Sequence, residues 1–402
     1  MSEPRETRAP ALGDRSLFPD LAARFYLNHA AISPPSLPVR AAALGVLEDY
    51  ARHGAAAFPR WSEQRARLKR KFASMIGAAA ADIGLVPNTT QGVIDVALCL
   101  PWRRGDRIVV FDGEFPANVT PWQRAAELFG LEIHPVPLRP FLESDAAGLS
   151  RLEDELRGGV RLVAVSAVQF QTGLRMPLRG IGALCRAAGT ELFVDAIQAC
   201  GMVPVDVVEG HVDYLACGSH KWLMGLEGAG FLYVHPERVA ALRPSVAGWL
   251  SHEDALAFLF EGPGRLRYDR PIRKRADFIE GGNCNSVGFA ALEASIDIFS
   301  ELGPAAIFAH VSGYLDLLEA GLRARGFDSL RAPEPTRRSG SLSVIPPANV
   351  SVVALHAALG QLGVACSIPD GILRFSPHWP NAHAEVAGVL EAVDAALASV
   401  SG

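Results

Sequence analysis

The sequence predicts an α/β protein in which a mainly parallel sheet lies between layers of helices. Short apolar segments alternate with helical patterns from about residue 60 to 235, as in consecutive β-α-β units. Residues 244–285 are irregular and rich in Gly, Pro, Arg and Trp, and a loop of this length usually carries function or forms an interface. Residues 326–402 mix strand and helix patterns, which predicts a smaller α+β domain.

The predicted helices follow from the spacing of their apolar residues and from the residues that precede them. Asn88 stands before one helix, and short polar side chains of this kind cap helix N-termini. In chain order the predicted helices span residues 61–76, 91–100, 121–129 and 178–188, one long stretch over 286–325, and 384–398.

The predicted strands are short apolar runs, which suit a sheet covered on both faces. They span residues 107–111, 131–136, 160–165, 191–194, 214–216 and 230–234. Residues 331–341 are predicted to form a surface loop. The chain is expected to divide into three parts, which are a flexible N-terminal arm over 1–25, a large domain over 26–290 that includes the irregular 244–285 region, and a small C-terminal α+β domain over 291–402.

Composition narrows the class of protein. The 402 residues are 49% hydrophobic and carry a formal net charge of -5, which predicts a globular protein with a sizeable core and gives no reason to expect nucleic acid or membrane as a partner. The N-terminus lacks the apolar region of a secretory signal, so we expect a cytoplasmic protein. Six scattered cysteines without a CxxC pair indicate reduced thiols, and no metal site is expected.

The strongest local signal is an acid and a lysine at one edge of the predicted sheet. Asp195 follows one strand and Lys221 follows the next, and open α/β sheets bind ligands at the carboxyl ends of their strands. Such a pair suits a pyridine cofactor, because the lysine can form a Schiff base with an aldehyde and the carboxylate can keep the ring nitrogen protonated. An ordinary salt bridge at a sheet edge is the alternative.

Three further signals have similar alternatives. Thr89 and Thr90 open a predicted helix, where backbone N–H groups and the helix dipole favour an anion such as phosphate; a simple N-cap is the alternative. Phe115 follows a strand and could stack on a planar ring or pack in the core. Arg374 is flanked by apolar residues and could receive a substrate carboxylate or make a structural ion pair.

Together these residues resemble the class V aminotransferase family of fold-type I enzymes that depend on pyridoxal 5'-phosphate (PLP). The family includes cysteine desulfurases, selenocysteine lyases, isopenicillin N epimerases and related C–S lyases. Seven motifs carry the resemblance in order, namely YLNHAA (26–31), PNTTQG (87–92), GEFPANVTPW (113–122), FVDAIQACG (193–201), GSHKWL (218–223), FIEGGNCN (278–285) and LRFSPHWPN (373–381).

The resemblance implies a role for each matching position. Lys221 would form the Schiff base and act as the catalytic base, Asp195 would pair with the ring nitrogen, Gln198 would bond the ring hydroxyl and Phe115 would stack on the ring. The phosphate would be bound by Thr89, Thr90, Ser219 and His220, and by Asn283 from the neighbouring subunit of a homodimer with shared sites. Arg374 would hold the substrate α-carboxylate, with Asn28 and His29 close to the substrate.

Departures from the family pattern bear on the reaction. Asn283 stands where the family often has Thr, and Phe115 stands where desulfurases usually have His, as in the epimerase-like branch. The loop that carries the desulfurase nucleophile is absent, since Cys366 is followed almost directly by Arg374. A persulfide-forming desulfurase is therefore not expected.

The resemblance predicts an enzyme that transforms an α-amino acid, as an aminotransferase or a C–S/β-lyase. An epimerase and a non-catalytic binding protein of the same fold are the alternatives. A nucleotide-dependent enzyme is disfavoured because neither GxGxxG nor GxxxxGK[ST] occurs.

Overall fold

The computed structural model describes residues 9–400, so the first eight residues of the predicted N-terminal arm lie outside the described residues. Its strands are β1 (Phe25–Tyr26), β2 (Ile83–Val86), β3 (Arg107–Phe111), β4 (Glu132–Val136), β5 (Leu162–Ser166), β6 (Glu191–Asp195), β7 (Tyr214–Gly218), β8 (Gly230–Val234), β9 (Asp328–Ser329), β10 (Leu342–Ile345), β11 (Val364–Ala365) and β12 (Leu373–Phe375).

The helices surround these strands. They are α1 (Leu37–His53), α2 (Phe58–Ile76), α3 (Thr89–Cys99), α4 (Thr120–Phe129), α5 (Arg139–Glu143), α6 (Asp145–Leu156), α7 (Leu178–Ala188), α8 (Pro236–Val239), α9 (Ala257–Phe260), α10 (Ser286–Leu302), α11 (Pro304–Arg323), α12 (Val352–Gln361) and α13 (Val386–Val400). No helix within residues 9–400 is long and apolar enough to cross a membrane.

A seven-stranded sheet forms the centre of the molecule, in the order β2-β8-β7-β6-β5-β3-β4. The pairs from β4 to β7 are parallel, whereas β8 runs antiparallel to both β7 and β2. Every residue of β5, β6 and β7 is buried, as expected of strands with helices on both faces. The prediction of an α/β fold with a mainly parallel seven-stranded sheet is confirmed.

Alternation along the strands produces two hydrophobic cores, one on each face of the sheet. In β3, Val109 and Phe111 belong to one core, and Ile108 and Val110 belong to the other. This division follows from the two-residue period of a strand. The apolar runs in the sequence therefore form the central sheet, which contributes side chains to both cores.

The helical stretch predicted over 286–325 is two helices, so that prediction is wrong in its continuity. Gly303 adopts a φ of 81°, which ends α10 in a conformation that favours glycine. Pro304 then begins α11, at a position where its missing N–H costs nothing. The predicted boundary at 290/291 falls inside α10, and the division into domains stays a prediction.

Part of the predicted flexible arm is packed onto the core. Leu17 and Phe18 are buried, and the Phe18 ring centroid lies 5.5 Å from that of Trp379. The segment that follows pairs β1 with β11 in parallel and joins Asn28 to Ser376 in an isolated bridge. The N-terminal and C-terminal segments thus meet next to β12.

Candidate active site

The carboxyl ends of the sheet strands bring the acid and the lysine together. Asp195 is the last residue of β6, and Lys221 lies three residues beyond the end of β7, which pairs with β6. Phe115 follows β3, and its ring centroid lies 5.2 Å from Lys221 Nζ. Phe170 meets Phe115 edge-on with ring centroids 5.3 Å apart. The aromatic face and the amine predicted from separate motifs therefore face each other.

Burial shifts the pKa of both charged groups toward neutrality. The pKa of Lys221 falls to about 8 because burial disfavours its charge; Asp195 opposes this shift and the charge of Arg374 adds to it. Burial raises the pKa of Asp195 to about 6, although the backbone N–H of Ile197 and the charge of Lys221 favour the carboxylate. Near physiological pH, the Lys221 amine and the Asp195 carboxyl group can therefore each gain or lose a proton.

The N-terminus of α3 lies beside the end of β7. Asn88 caps the helix, because its Oδ1 accepts a hydrogen bond of 2.8 Å from the backbone N–H of Gln91. Thr89 Oγ1 accepts 2.8 Å from the N–H of Gly218, so its hydroxyl proton stays free to donate. Thr90 is exposed at the helix start. These groups form a corner with donors for an anion.

Two of the predicted cofactor ligands, Ser219 and Gln198, have hydrogen-bond partners within the chain. Ser219 donates its N–H to Ala229 and its hydroxyl to Leu226, so neither donor points to a phosphate in this arrangement. Gln198 accepts 2.7 Å from the Trp222 indole and donates 3.1 Å to the Ala30 carbonyl, which leaves one amide proton. His220 is partly buried, and burial lowers its pKa.

Arg374 is buried without a carboxylate partner. It is 4% exposed, donates 2.5 Å from Nη1 to the Phe170 carbonyl and 3.2 Å from Nε to Ser367 Oγ. No carboxylate within residues 9–400 forms an ion pair with it, and burial lowers its pKa to about 10. A buried guanidinium that contacts only neutral oxygens favours an incoming anion.

The N-terminal segment supplies the two remaining predicted substrate residues. Asn28 Oδ1 is buried and has no hydrogen-bond partner among the described residues. His29 is 2% exposed, and its Nδ1 lies 2.8 Å from Ser33 Oγ. Asn28 thus has an acceptor to offer, whereas His29 contacts the protein and its contact with substrate stays a prediction.

Two functional neighbours were not predicted from the sequence. Glu114 is 8% exposed, and its carboxylate accepts hydrogen bonds from the side chains of Gln169 and Asn118 and from the backbone and side chain of Ser166. Burial raises its pKa to about 7. The position of Glu114 just before Phe115 could have indicated that its carboxylate lies near the site. Ser33, the other neighbour, stands in no motif that points to chemistry.

Asn283 lies away from the Lys221 site of its own chain. It lines a cavity of 540 Å³ together with Tyr50, Trp61 and Trp249, and Lys221 is not among the residues that line this cavity. The expected role of Asn283 at the phosphate of a neighbouring subunit stays a prediction.

The donor set fits PLP. A lysine amine with a lowered pKa lies over an aromatic ring that is 43% exposed, next to a buried carboxyl group and an anion-binding corner. Lys221 would hold the aldehyde carbon, Asp195 the ring nitrogen, Phe115 the ring face, and Thr89 and Thr90 the phosphate.

Comparisons with known proteins agree with this chemistry. A family model described as Aminotransferase class-V matches residues 26–371. A probable cysteine desulfurase of Methanothermobacter thermautotrophicus is 30% identical over 92% of this chain and 93% of its own length. Isopenicillin N epimerase of Streptomyces clavuligerus is 29% identical over 82% and 83%. A structure of C-DES with glycine covalently linked to the PLP cofactor matches with a TM-score of 0.85 and 23% identity, over 94% of this chain and 98% of that one.

Proposed function

Because the chain belongs to the class V aminotransferase family, we propose that it transforms an α-amino acid with PLP as its cofactor, as an aminotransferase or a C–S/β-lyase. Membership confirms the resemblance carried by the seven motifs, and with it the PLP-dependent enzyme class. The amino-acid substrate and the reaction type are the parts that we propose.

The observation that carries the proposal is the unpaired guanidinium of Arg374 beside Lys221. Its charge is close enough to help lower the pKa of Lys221, yet it has no carboxylate partner of its own in the described chain. A substrate α-carboxylate would complete it through a charge-assisted pair, and the substrate amine would then lie toward Lys221. A substrate that presents a carboxylate to Arg374 and an amine toward Lys221 is an amino acid, and an α-amino acid is the one that we propose.

We propose a separate chemical role for each residue around Lys221. PLP, when bound, supplies an aldehyde that condenses with amines and a ring that accepts electrons from the substrate Cα. Lys221 Nζ is the base that takes the Cα proton, since its lowered pKa suits proton transfer near neutral pH. Asp195 keeps a proton on the ring nitrogen. Phe115 would lie against one face of the ring and would keep water from that face.

The placement of titratable groups favours transamination or β-elimination over epimerisation. Epimerisation needs a proton delivered to the face opposite the one from which it was removed. His29 and His378 are 2% and 0% exposed, and burial lowers the pKa of both, to about 4 for His378. Neither imidazole is therefore positively charged near neutral pH, which makes both poor proton donors and leaves Lys221 as the acid–base group that we propose at the Cα. The epimerase alternative is supported by the similarity to isopenicillin N epimerase.

A persulfide mechanism is disfavoured by the state of Cys366. This thiol is 5% exposed and packs in the main core, and burial raises its pKa to about 12. A nucleophilic cysteine needs an accessible thiolate. If this enzyme cleaves C–S bonds, as the similarity to desulfurases suggests, we therefore propose that it does so without transferring sulfur to a cysteine of its own.

We also propose a homodimer with shared active sites. Large apolar side chains on α1 and in the irregular region are exposed, among them Leu47, Tyr50, Phe260 and Tyr268 at 53%, 55%, 71% and 86%. Exposed apolar patches of this kind mark interaction surfaces. Asn283 lies next to this surface, in the cavity that also contains Tyr50.

Visible spectroscopy tests the cofactor site. The purified protein with added PLP is expected to absorb in the visible, and Lys221→Ala is expected to abolish this Schiff-base band. Lys274→Ala is the matched control, because Lys274 is exposed. A band that persists in Lys221→Ala, or a wild-type protein that takes up no PLP, would contradict the proposal.

Product analysis with a panel of amino acids then separates the reactions. A new amino acid formed from an added keto acid indicates an aminotransferase. Ammonia with pyruvate or sulfide indicates a β-lyase, and inversion at Cα without other products indicates the epimerase alternative.

A further inference from the structure

The main chain around Lys221 is fixed by hydrogen bonds from outside its own loop. Three consecutive carbonyls each accept one donor from outside the loop, and the Lys221 carbonyl also accepts 2.9 Å from the Met224 N–H within it. The His220 carbonyl accepts 2.7 Å from the Ser33 N–H, and the Lys221 carbonyl accepts 2.6 Å from Ser33 Oγ. The Trp222 carbonyl accepts 3.0 Å from His378 Nε2. Ser33 alone provides two of the three.

The direction of these bonds follows from their chemistry. A carbonyl can only accept, so the single hydroxyl proton of Ser33 goes to Lys221. His29 Nδ1, 2.8 Å from Ser33 Oγ, must then donate to that oxygen. His378 Nδ1 accepts 2.7 Å from the Trp379 N–H, so its proton is on Nε2. Each imidazole makes these bonds in its neutral form.

The same segment is also bonded to the strand that carries Arg374. The backbone N–H of His29 donates 3.1 Å to the Ser376 carbonyl, and the N–H of Ala30 donates 3.0 Å to Ser376 Oγ. Ser376 lies two residues beyond Arg374. Residues 28–33 therefore bridge the carboxylate-binding strand and the lysine loop.

We propose that Ser33 is a positioning residue, which clamps the backbone at Lys221 so that the amine stays buried between Phe115 and Asp195. Ser33 is itself 4% exposed, and its N–H and Oγ donate to main-chain carbonyls of the loop, so we place its action on the backbone at Lys221 rather than on the substrate. The inference rests on the proposed role of Lys221 as the Schiff-base residue.

Removing the hydroxyl is expected to loosen the loop without removing a site ligand. Ser33→Ala takes away one of the two donors to the Lys221 carbonyl and leaves the Met224 N–H as the other. The loss of one such bond lowers an equilibrium constant by up to about tenfold. We expect PLP to form the Schiff base about 3- to 10-fold more slowly and less completely. Ser33→Thr keeps the hydroxyl and is expected to restore both values.

The pH dependence of Schiff-base formation reports the position of the amine. The groups that act on this amine are Asp195, Cys217, Arg374 and the adjacent His220, and the substitution changes none of them. A loosened amine becomes more solvated, so the midpoint of its pH profile should move upward from about 8. Simple loss of packing elsewhere would leave that midpoint in place.

Ser36→Ala is the matched control. Ser36 is a buried serine of the same segment, 3% exposed, and its hydroxyl has no partner among the described residues. We expect wild-type rates and an unmoved midpoint. Melting temperatures of the cofactor-free variants show whether each one folds.

The outcomes separate the two proposals. If the wild-type protein forms no visible band, or if Lys221→Ala keeps it, the proposed function fails. If the band forms on Lys221 but Ser33→Ala matches Ser36→Ala in rate and midpoint, the clamp is overturned. A slowed Ser33→Ala with an unmoved midpoint also overturns it, whereas a raised midpoint that Ser33→Thr restores supports it.

Discussion

Two regions of the C-terminal part bury arginines to the same extent but treat their charge differently. Arg331 and Arg337, in the segment after β9, are 6% and 4% exposed, and Arg374 on β12 is 4% exposed. Arg331 lies 2.5 Å from Asp316 and 3.0 Å from Glu319, and Arg337 pairs with Glu334 at 3.0 Å. Within residues 9–400, the hydrogen bonds of the Arg374 side chain go to neutral oxygens.

This difference separates the structural arginines, Arg331 and Arg337, from Arg374, for which we propose a ligand. A buried cation is costly unless paired, and the segment after β9 meets that requirement with its own carboxylates. The β12 site does not, although it lies beside a lysine whose charge repels that of Arg374. Such an arrangement is expected where an anionic ligand pairs with the buried guanidinium.

The largest expected effect comes from removing the unpaired charge. Arg374→Met should lower kcat/KM for the amino-acid substrate by roughly three orders of magnitude, because losing one member of a buried charge pair costs about 4 kcal/mol. The stability of the cofactor-free protein should change by no more than about 1 kcal/mol, since removing the cost of a buried charge without a carboxylate partner offsets the loss of its two hydrogen bonds. Steady-state kinetics and urea unfolding check both values. A large loss of stability with unchanged kinetics would place Arg374 among the structural arginines.

The converse substitution is expected to affect stability rather than activity. Arg331→Met leaves Glu319 without one of its cations and should lower the free energy of unfolding by about 3 kcal/mol, as for a buried pair that loses one member. Urea unfolding measures this change. The kcat/KM of the folded variant should equal that of the wild type, and a selective kinetic defect would break the contrast between the two regions.

Sequence patterns predicted the sheet side of the site better than its C-terminal side. The strands are apolar runs whose ends follow from β-α-β geometry, so the positions of Asp195 and Lys221 at one edge could be anticipated. Residues 331–341 were expected on the surface because they are polar and rich in Pro and Arg. The structure instead buries Arg331 and Arg337. Arg331 pairs with Asp316 and Glu319 of α11, and Arg337 pairs with Asp145 of α6 as well as with nearby Glu334, and no local pattern reveals the contacts with the two helices.

α1, β2 and the role of Ser33 were also not predicted from the sequence. Only Val39 and Val46 of α1 are buried, which leaves too few apolar contacts for a clear helical period. β2 has four residues, including Gly84. The bonds of Ser33 to the Lys221 loop span nearly half of the chain and depend on how the N-terminal segment packs.

A smaller effect should link Arg374 to the proton on Lys221. The neutral amine reacts with PLP, so the rate of Schiff-base formation should rise with pH through about 8. The charge of Arg374 lowers the pKa of Lys221, and Arg374→Met should therefore raise the midpoint and slow the reaction at pH 7 by less than about tenfold. Stopped-flow absorbance at several pH values measures both. Arg331→Met should leave the midpoint unchanged, and an equal shift in both variants would show that the two regions do not differ electrostatically.

The smallest expected effect concerns Cys366, which lies on the same segment as Arg374 but faces the core. Its thiol is buried and its pKa is raised to about 12 by burial, so no thiolate is available to accept sulfur. Cys366→Ala should change the rate of product formation by less than about twofold, with a loss of stability of about 1 kcal/mol from the small cavity. Cys284→Ala is the control for a partly exposed thiol. If Cys366→Ala selectively abolished sulfide release from cysteine, the core-facing half of this segment would take part in catalysis, and a persulfide mechanism would replace the one proposed.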